Sequence, residues 1–401
     1  LIYAGSRNQS ISLLCQNCIY LTLVFWSDTL ESPYIGRGVT KLNHFKTEKP
    51  SPEVNELLLQ LTNACNLACF FCGNNPEYQR NIHEVMSFDT IKRMIDEIQP
   101  NYASFTGGEV TLVWDRLIEG LQYAKSLGIK NIVNTTLSII DTEQIDFLIN
   151  ECGVVQFNVS FNDLDEDMSL KVRGTKQFRD RTIENIKYIA QTYKHISLDI
   201  ETLLLKRTIH KIPEIHTFLN NLGVIHHKLS FMTPLGHAMH SEIPDLNQIK
   251  NAILKTYARK EKGRKLYLVC CYLTPCMPEA KEIYAIDDDE FIVTNCAEGR
   301  STLYISAKGE ISPCFIYHGE MSNISTSNVK EVWESGQPFT KWRNEINEEC
   351  SSCNYWRSDS PKSCHNGCSS LMLIKTGHLK QKCGIYMRDY FDNLQESELH
   401  V

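Results

Sequence analysis

The sequence predicts an α/β fold. It reads as a parallel sheet of six strand–helix units curled into a partial (β/α)6 TIM-like barrel, with a small N-terminal lobe before it and a loop-rich C-terminal domain after it. Three observations carry this. Apolar strand patterns alternate with amphipathic helical patterns from 57 to about 261. Successive βα units imply parallel strands with helices outside, which curl toward a barrel and collect ligands at the strands' C-terminal ends. From about 262 the strands become short and hairpin-like, and cysteines crowd in from 270 onward. The expected division is 1–56 as N-terminal lobe and linker, 57–261 as the barrel, and 262–401 as a second domain that relies on bound metal.

The elements follow in order. Residues 11–26 are apolar but interrupted by Gln16 and Asn17, too short to span a bilayer comfortably and without a signal-peptide cleavage pattern. They are expected to form a strand pair. Cys15 and Cys18 there read as buried thiols rather than a metal pair. Residues 27–56, with Pro33, Gly36, Gly38, Pro50 and Pro52, read as a linker. Strands are expected at 57–62, 102–106, 131–136, 154–160, 196–204 and 227–232. Helices are expected near 87–98, 115–127, 142–150, 178–193, 211–222 and 245–261. Ser87 and Asp141 stand where N-caps belong, and Gly128 and Gly223 stand where helices should end. Beyond 262, strands are expected at 291–294 and 302–306, the latter turning through Ala307, Lys308 and Gly309 into 310–312.

Composition excludes several classes. The chain has 401 residues, 42% hydrophobic and 22% charged, with a net charge of −7. That is an ordinary enzyme composition, not a disordered chain or a basic nucleic-acid binder. Sixteen cysteines are many. A disulfide framework belongs to short secreted chains, whereas clustered C-x2-C and C-x3-C spacings favour metal or iron–sulfur ligation in a reducing compartment, so the cytoplasm is expected and no membrane is.

The first strand runs straight into Cys65, Cys69 and Cys72, spaced C-x3-C-x2-C. Four thiolates complete a cubane cluster or a tetrahedral zinc. Three on a tight loop hold a [4Fe–4S] cluster with one iron left for a small molecule, or a zinc whose fourth ligand lies elsewhere. The second strand ends in Phe105-Thr106-Gly107-Gly108-Glu109. Its glycines permit close backbone approach, and Glu109 sets a carboxylate beside them. Alone this segment is only a turn.

Together, on successive strands, the two motifs resemble the radical S-adenosylmethionine (SAM) enzymes over residues 57 to about 237. The resemblance implies that Cys65, Cys69 and Cys72 hold a [4Fe–4S] cluster whose fourth iron chelates SAM. It implies that Gly107, Gly108 and Glu109 hold the SAM ammonium, and that Phe71 lies near adenine. Asn134 ends strand three where the family often has Asn-Gly, with Thr135 in place of the glycine. Ser160-Phe161-Asn162-Asp163 resembles Ser-x-Asp-Gly with its last two residues changed. Ser160 and Arg173, the latter in an Arg-Gly pair, would contact the SAM carboxylate or ribose. A strand cap and a surface ion pair are their plainer roles. Pro234-Leu235-Gly236-His237 resembles a Pro-x-Gly-Arg segment, and His237 reads as structural.

The cysteines beyond 290 run Cys296-x12-Gly309-x4-Cys314, then Cys350-x2-Cys353-x10-Cys364-x3-Cys368-x14-Cys383. This is similar to the SPASM extension of radical SAM enzymes, with a longer spacing between Cys353 and Cys364. The resemblance implies two auxiliary [4Fe–4S] clusters. One would use Cys350, Cys353, Cys364 and Cys383. The other would use Cys296, Cys314 and Cys368, with Cys276 first among candidates for its fourth ligand, ahead of Cys271 and Cys270, or an iron open to substrate. A zinc ribbon accounts for Cys350, Cys353, Cys364 and Cys368 but not for the others.

The resemblance further implies SAM cleavage to a 5′-deoxyadenosyl radical, an electron donor of flavodoxin or ferredoxin type, and a precursor peptide as partner. The expected reaction is an oxidative modification or crosslink of a ribosomally made peptide: thioether, carbon–carbon or ether. Sulfatase maturation is disfavoured because Phe315, not an aspartate, follows Cys314. A small-molecule radical SAM dehydrogenase and a non-catalytic iron–sulfur or zinc protein are the competing readings. The latter has no use for Gly107-Gly108-Glu109.

Overall fold

The computed structural model describes residues 53–73, 84–233, 242–269, 273–294, 296–317, 321–344, 348–355, 364, 367–370 and 373. The expected N-terminal strand pair, Cys15, Cys18, His237, Cys270, Cys271 and Cys383 lie outside them.

The first six strands match the alternation in the sequence. They are β1 (Glu56–Gln60), β2 (Tyr102–Thr106), β3 (Lys130–Thr135), β4 (Val154–Ser160), β5 (Ser197–Leu204) and β6 (His226–Phe231). The helices between and after them are α1 (Phe88–Ile98), α2 (Trp114–Ser126), α3 (Thr142–Asn150), α4 (Glu166–Arg173), α5 (Arg179–Thr192), α6 (Ile212–Leu222) and α7 (Leu246–Tyr257). Ser87 caps α1 by accepting from the Thr90 backbone N–H at 3.1 Å. Asp141 and Gln144 cap α3 reciprocally, and Gly223 ends α6 at φ +97°. Helix α4 is absent from the sequence expectation. It spans eight residues with mostly polar side chains, so apolar periodicity does not announce it; Asp165 caps its start and Gly174 its end.

The sheet extends past the six expected strands. β7 (Lys265–Val269) and β8 (Phe291–Thr294) continue it in parallel beyond β6. The strand at 291–294 is therefore not part of a hairpin. β9 (Thr302–Ile305) returns across the molecule and pairs in parallel with the free edge of β1, Leu57 against Leu303. β10 (Glu310–Ser312) does form the expected hairpin with β9, and β11 (Ser322–Asn323) follows it. The order is β11-β10-β9-β1-β2-β3-β4-β5-β6-β7-β8, and the outer strands β11 and β8 do not pair. The result is an α/β fold with a parallel sheet, open as a partial barrel is.

Alternation along the strands divides two faces. Leu57, Leu59, Phe105, Val133, Phe157, Val159, Ile200, Leu229 and Leu303 point to the helices and are fully buried. Helix α1 meets them with Ile91, Met94 and Ile95. Each such side chain contributes roughly 1.5–3 kcal/mol on burial. The opposite, inner face is polar. Asn134 donates to Ser104 Oγ at 2.8 Å and accepts from Asn158 at 2.9 Å. Gln156 joins Asn158 to Asp199, and Lys228 reaches Asp199 Oδ2 at 2.5 Å. A largely polar wall inside a sheet is stable only when its groups are paired.

After β7, a short helix α8 (Lys281–Tyr284) precedes β8; α9 (Val329–Ser335), α10 (Gln337–Asn344) and α11 (Glu348–Ser351) follow the hairpin. Trp333 and Phe339 pack edge-to-face at 5.0 Å. Among the described residues no helix is long and apolar enough to cross a membrane.

Candidate active site

Strand β1 delivers the three-cysteine loop to the C-terminal end of the sheet. Leu61 N–H is still bonded to Thr106 at 2.8 Å, and Ala64 N–H then bonds Thr62 Oγ1 at 3.1 Å as the chain leaves the strand. The loop is clamped from the far side. Ala68 N–H donates to the Arg173 carbonyl at 2.9 Å and Phe70 N–H to the Val172 carbonyl at 3.4 Å. Within it, Leu67 N–H points at Cys65 Sγ at 3.4 Å.

The thiols of Cys65, Cys69 and Cys72 are close enough for their charges to interact. Burial pushes the Cys65 and Cys69 thiols up to about 12, and the neighbouring thiols push the same way, against the lowering effect of Arg173. Neighbouring half-buried thiols are unfavourable as bare thiolates and become favourable ligands once a metal neutralises them. Among the described residues no group of three or more His, Cys, Asp and Glu converges on a single ion. In a cubane each thiolate binds a different iron, so its ligands need no common point. The donor set, all sulfur beside one guanidinium, suits an iron–sulfur cluster.

Gly107 and Gly108 brace this loop. A Cβ on Gly108 would lie 2.2 Å from the Ala64 carbonyl oxygen, and one on Gly107 would lie 2.8 Å from that of Thr62. Gly108 N–H and Glu109 N–H each donate to the loop, to Thr62 and Ala64, at 2.8 Å. The close approach that the glycines permit is therefore to the cysteine loop's own backbone. Glu109 is 1% exposed. Its carboxylate accepts from Thr111 N–H at 3.2 Å, Thr111 Oγ1 at 2.7 Å, Thr135 Oγ1 at 2.6 Å, Thr136 N–H at 2.8 Å and Thr136 Oγ1 at 2.7 Å. A carboxylate has about four lone-pair sites. Glu109 is thus a strut between the ends of β2 and β3, and contact with an ammonium requires one of these bonds to be exchanged. Thr135, which stands where a glycine was expected, is one of its donors.

The ends of β3 and β4 hold the remaining site residues. Asn134 is engaged in the inner-face ladder, bonded to Ser104, the Phe105 carbonyl and Asn158. Ser160 is exposed at the end of β4. Arg173 is not a surface residue: it is 4% exposed, its Nε donates to Asp163 Oδ1 at 2.8 Å and its Nη2 to the Ser160 carbonyl at 2.8 Å. Asp163 is the residue the sequence reading passed over. Nothing at sequence level separates it from a solvated loop aspartate. Phe71 packs edge-to-face on Phe70 at 5.4 Å, and both pack against the cluster of Leu205 and Met232 just past the ends of β5 and β6. Arg207 stacks 3.9 Å over the Phe70 ring. The mouth of the sheet thus has one apolar wall and one polar one.

The inner wall carries a charge pair that spacing did not reveal. Burial alone would raise the Asp199 carboxyl, but the Lys228 ammonium and the His226 imidazole outweigh it and hold it well below the usual carboxylate range.

In the C-terminal part, Cys314 is buried, and Cys296 and Cys368 are near enough to act on its charge. Burial pushes the Cys314 thiol well up, with Glu298 and Cys296 adding to it. Cys350, Cys353 and Cys364 are half-buried on a local turn, with Cys353 N–H bonded to the Cys350 carbonyl at 3.1 Å and Cys364 N–H to the Tyr355 carbonyl at 2.6 Å. Cys276 is exposed and lies 3.2 Å from the Thr274 hydroxyl.

Comparison with known proteins places this arrangement. The Radical SAM superfamily model matches residues 59–219, and the SPASM iron–sulfur cluster-binding domain model matches 296–354. The AdoMet-dependent heme synthase of Oleidesulfovibrio alaskensis is 23% identical, over 77% of this chain and 82% of its own. The PqqA peptide cyclase of Bradyrhizobium diazoefficiens is 21% identical, over 80% of this chain and 83% of its own. Streptococcus suis SuiB, solved bound to S-adenosylmethionine, superposes with a TM-score of 0.64 at 18% identity, covering 83% of this chain and 77% of SuiB. With both family models matched along one chain, on the cysteine loop and on the hairpin that returns to it, this protein belongs to the radical SAM superfamily of enzymes and carries a SPASM iron–sulfur cluster-binding domain.

Proposed function

We propose that the protein modifies a ribosomally made peptide by abstracting a hydrogen atom from one of its residues, leading to an oxidative modification or crosslink. The observation that supports it most directly is the likeness, over 82% of this chain at a TM-score of 0.64, to SuiB solved with its precursor peptide SuiA. The relatives named PqqA peptide cyclase add to it. Among the described residues the outer strands β8 and β11 are not joined to each other, which leaves the sheet open at its sides and suits an extended chain more than a closed barrel would.

In this reading Cys65, Cys69 and Cys72 hold a [4Fe–4S] cluster, which when bound supplies the electron that splits SAM into methionine and a 5′-deoxyadenosyl radical. Arg173, fixed by Asp163, presents a buried cation to the SAM carboxylate, and Ser160 offers its hydroxyl beside it. Gly107, Gly108 and Glu109 shape the ammonium end, Asn134 holds the β3 edge, and Phe71 faces the adenine. The inner wall around Asn158, Asp199 and Lys228 orients the substrate and limits water. Cys350, Cys353, Cys364 and Cys383 hold one auxiliary cluster; Cys296, Cys314 and Cys368 hold another. A flavodoxin or ferredoxin supplies electrons.

A small-molecule substrate is the second reading, favoured by the relatives named AdoMet-dependent heme synthase. Anaerobic incubation of the cluster-loaded protein with SAM, reductant and a short peptide encoded beside its gene decides between them. A peptide product lighter by two hydrogens, formed with 5′-deoxyadenosine, is expected. Full clusters with no 5′-deoxyadenosine under any reductant would sink the enzyme reading. Consumption of SAM with a tetrapyrrole but with no neighbouring peptide favours the second reading.

A further inference from the structure

Cys296 and Cys368 both come within charge reach of Cys314, and a cubane held by these three has one iron left for a fourth donor. Glu298 stands two residues beyond Cys296. Its carboxylate lies within charge reach of Cys296, Cys314 and Glu56, each of which is negative when ionised. Its Oε2 is buried and has no hydrogen-bond partner among the described residues. Burying a carboxylate oxygen without a donor or a cation costs several kcal/mol, which a proton or a positive ligand relieves. The packing is close. Trp342 Nε1 donates to the Glu298 carbonyl at 2.9 Å, and Arg343 Nε donates to the Gly299 carbonyl at 2.9 Å. Gly299 follows at φ +68°, where a Cβ would lie 2.8 Å from the Trp342 ring and 2.9 Å from Pro313 Cβ. The backbone of the turn is thus pinned on both sides, which fixes the point from which the Glu298 side chain starts.

We propose that Glu298 is the fourth ligand of the auxiliary iron–sulfur cluster held by Cys296, Cys314 and Cys368, giving that cluster one oxygen donor beside three thiolates. Iron accepts carboxylate readily in other protein sites. An oxygen ligand donates less electron density than a thiolate, so the cluster is easier to reduce than an all-cysteine one. The proposal rests on the reading of these three cysteines as cluster ligands.

The test uses the full chain, reconstituted anaerobically and labelled with carboxyl-13C glutamate. Pulsed electron–nuclear resonance of the reduced auxiliary cluster is expected to show a 13C coupling that Glu298→Gln abolishes. Glu298→Cys is expected to keep all its iron, lose the coupling and move the midpoint potential to a more negative value. No 13C coupling in the native chain with its clusters full overturns the proposal. So does loss of auxiliary iron in Cys270→Ser, Cys271→Ser or Cys276→Ser beside a Glu298→Gln that keeps it. A Cys314→Ser chain that retains every iron overturns the cluster reading itself, and is told apart from failure of the Glu298 assignment alone, in which Cys314→Ser loses iron and Glu298→Gln does not.

Discussion

Arg173 donates from Nε to Asp163 Oδ1 at 2.8 Å, with the two side chains 4% and 0% exposed. The pair sits behind the cysteine loop, which hydrogen-bonds to the Arg173 carbonyl. Removing one partner of a buried ion pair leaves the other uncompensated and costs about 3–5 kcal/mol. Asp163→Asn is therefore expected to lower the urea midpoint, and to weaken SAM binding by releasing the guanidinium. Unchanged denaturation and unchanged SAM affinity in equilibrium dialysis would show that the pair does not position Arg173.

The glycine at 108 answers to the loop, not only to a ligand. Gly108→Ala places a Cβ 2.2 Å from the Ala64 carbonyl and must displace the cysteine loop. Iron retained at Cys65, Cys69 and Cys72 after reconstitution is expected to drop several-fold. Gly73→Ala is the control, because a Cβ there meets nothing within 4 Å. Equal iron contents in the two variants contradict this role.

Glu109 binds three threonines. Glu109→Gln replaces acceptors with an amide donor facing Thr111, Thr135 and Thr136, and leaves at least one buried donor unmatched. A loss of about 1–3 kcal/mol is expected in chemical denaturation of the cluster-free chain. Thr111→Val, which removes only the Thr111 Oγ1 bond to Glu109, is expected to lose less. A Gln variant as stable as the native chain contradicts the strut.

His216 and His227 stack in the core with Nδ1 atoms 2.9 Å apart. Burial lowers both, His216 from 6.5 to about 4 and His227 well below 6.5, with the neighbouring charges acting the same way. The unfolded chain then binds more protons than the folded one between these values. The stabilisation from keeping the pair neutral is present above pH 6.5 and is lost as pH falls from 6.5 toward 4. For His216 the loss is on the order of 3 kcal/mol. Urea midpoints measured across that window are expected to fall with pH, and a His216→Leu/His227→Leu chain to show a shallower slope. Parallel slopes for the two chains contradict it.

Much of this was legible in residue order. The first six strands and their helices follow from apolar alternation and capping residues, which act over a few positions and leave a local trace. The C-x3-C-x2-C loop after β1 and Gly-Gly-Glu after β2 were visible for the same reason: each motif is continuous in sequence. Helix α4 was not, because its polar composition carries no period. The parallel placement of β9 against β1 was not either, since an apolar tetrapeptide does not say which edge it joins.

What the sequence by itself determined is the chemistry of the donors: three thiols on one loop, glycines and an acid on the next strand, and further cysteines behind. What only the tertiary structure decided is which partners those groups have. Glu109 is saturated by Thr111, Thr135 and Thr136, Arg173 is buried on Asp163, and Glu298 keeps an oxygen without a partner among the described residues, within charge reach of Cys296 and Cys314. The physical reason is the range of the forces. Backbone propensity and side-chain chemistry are local, whereas burial and pairing depend on which distant segments the sheet brings side by side.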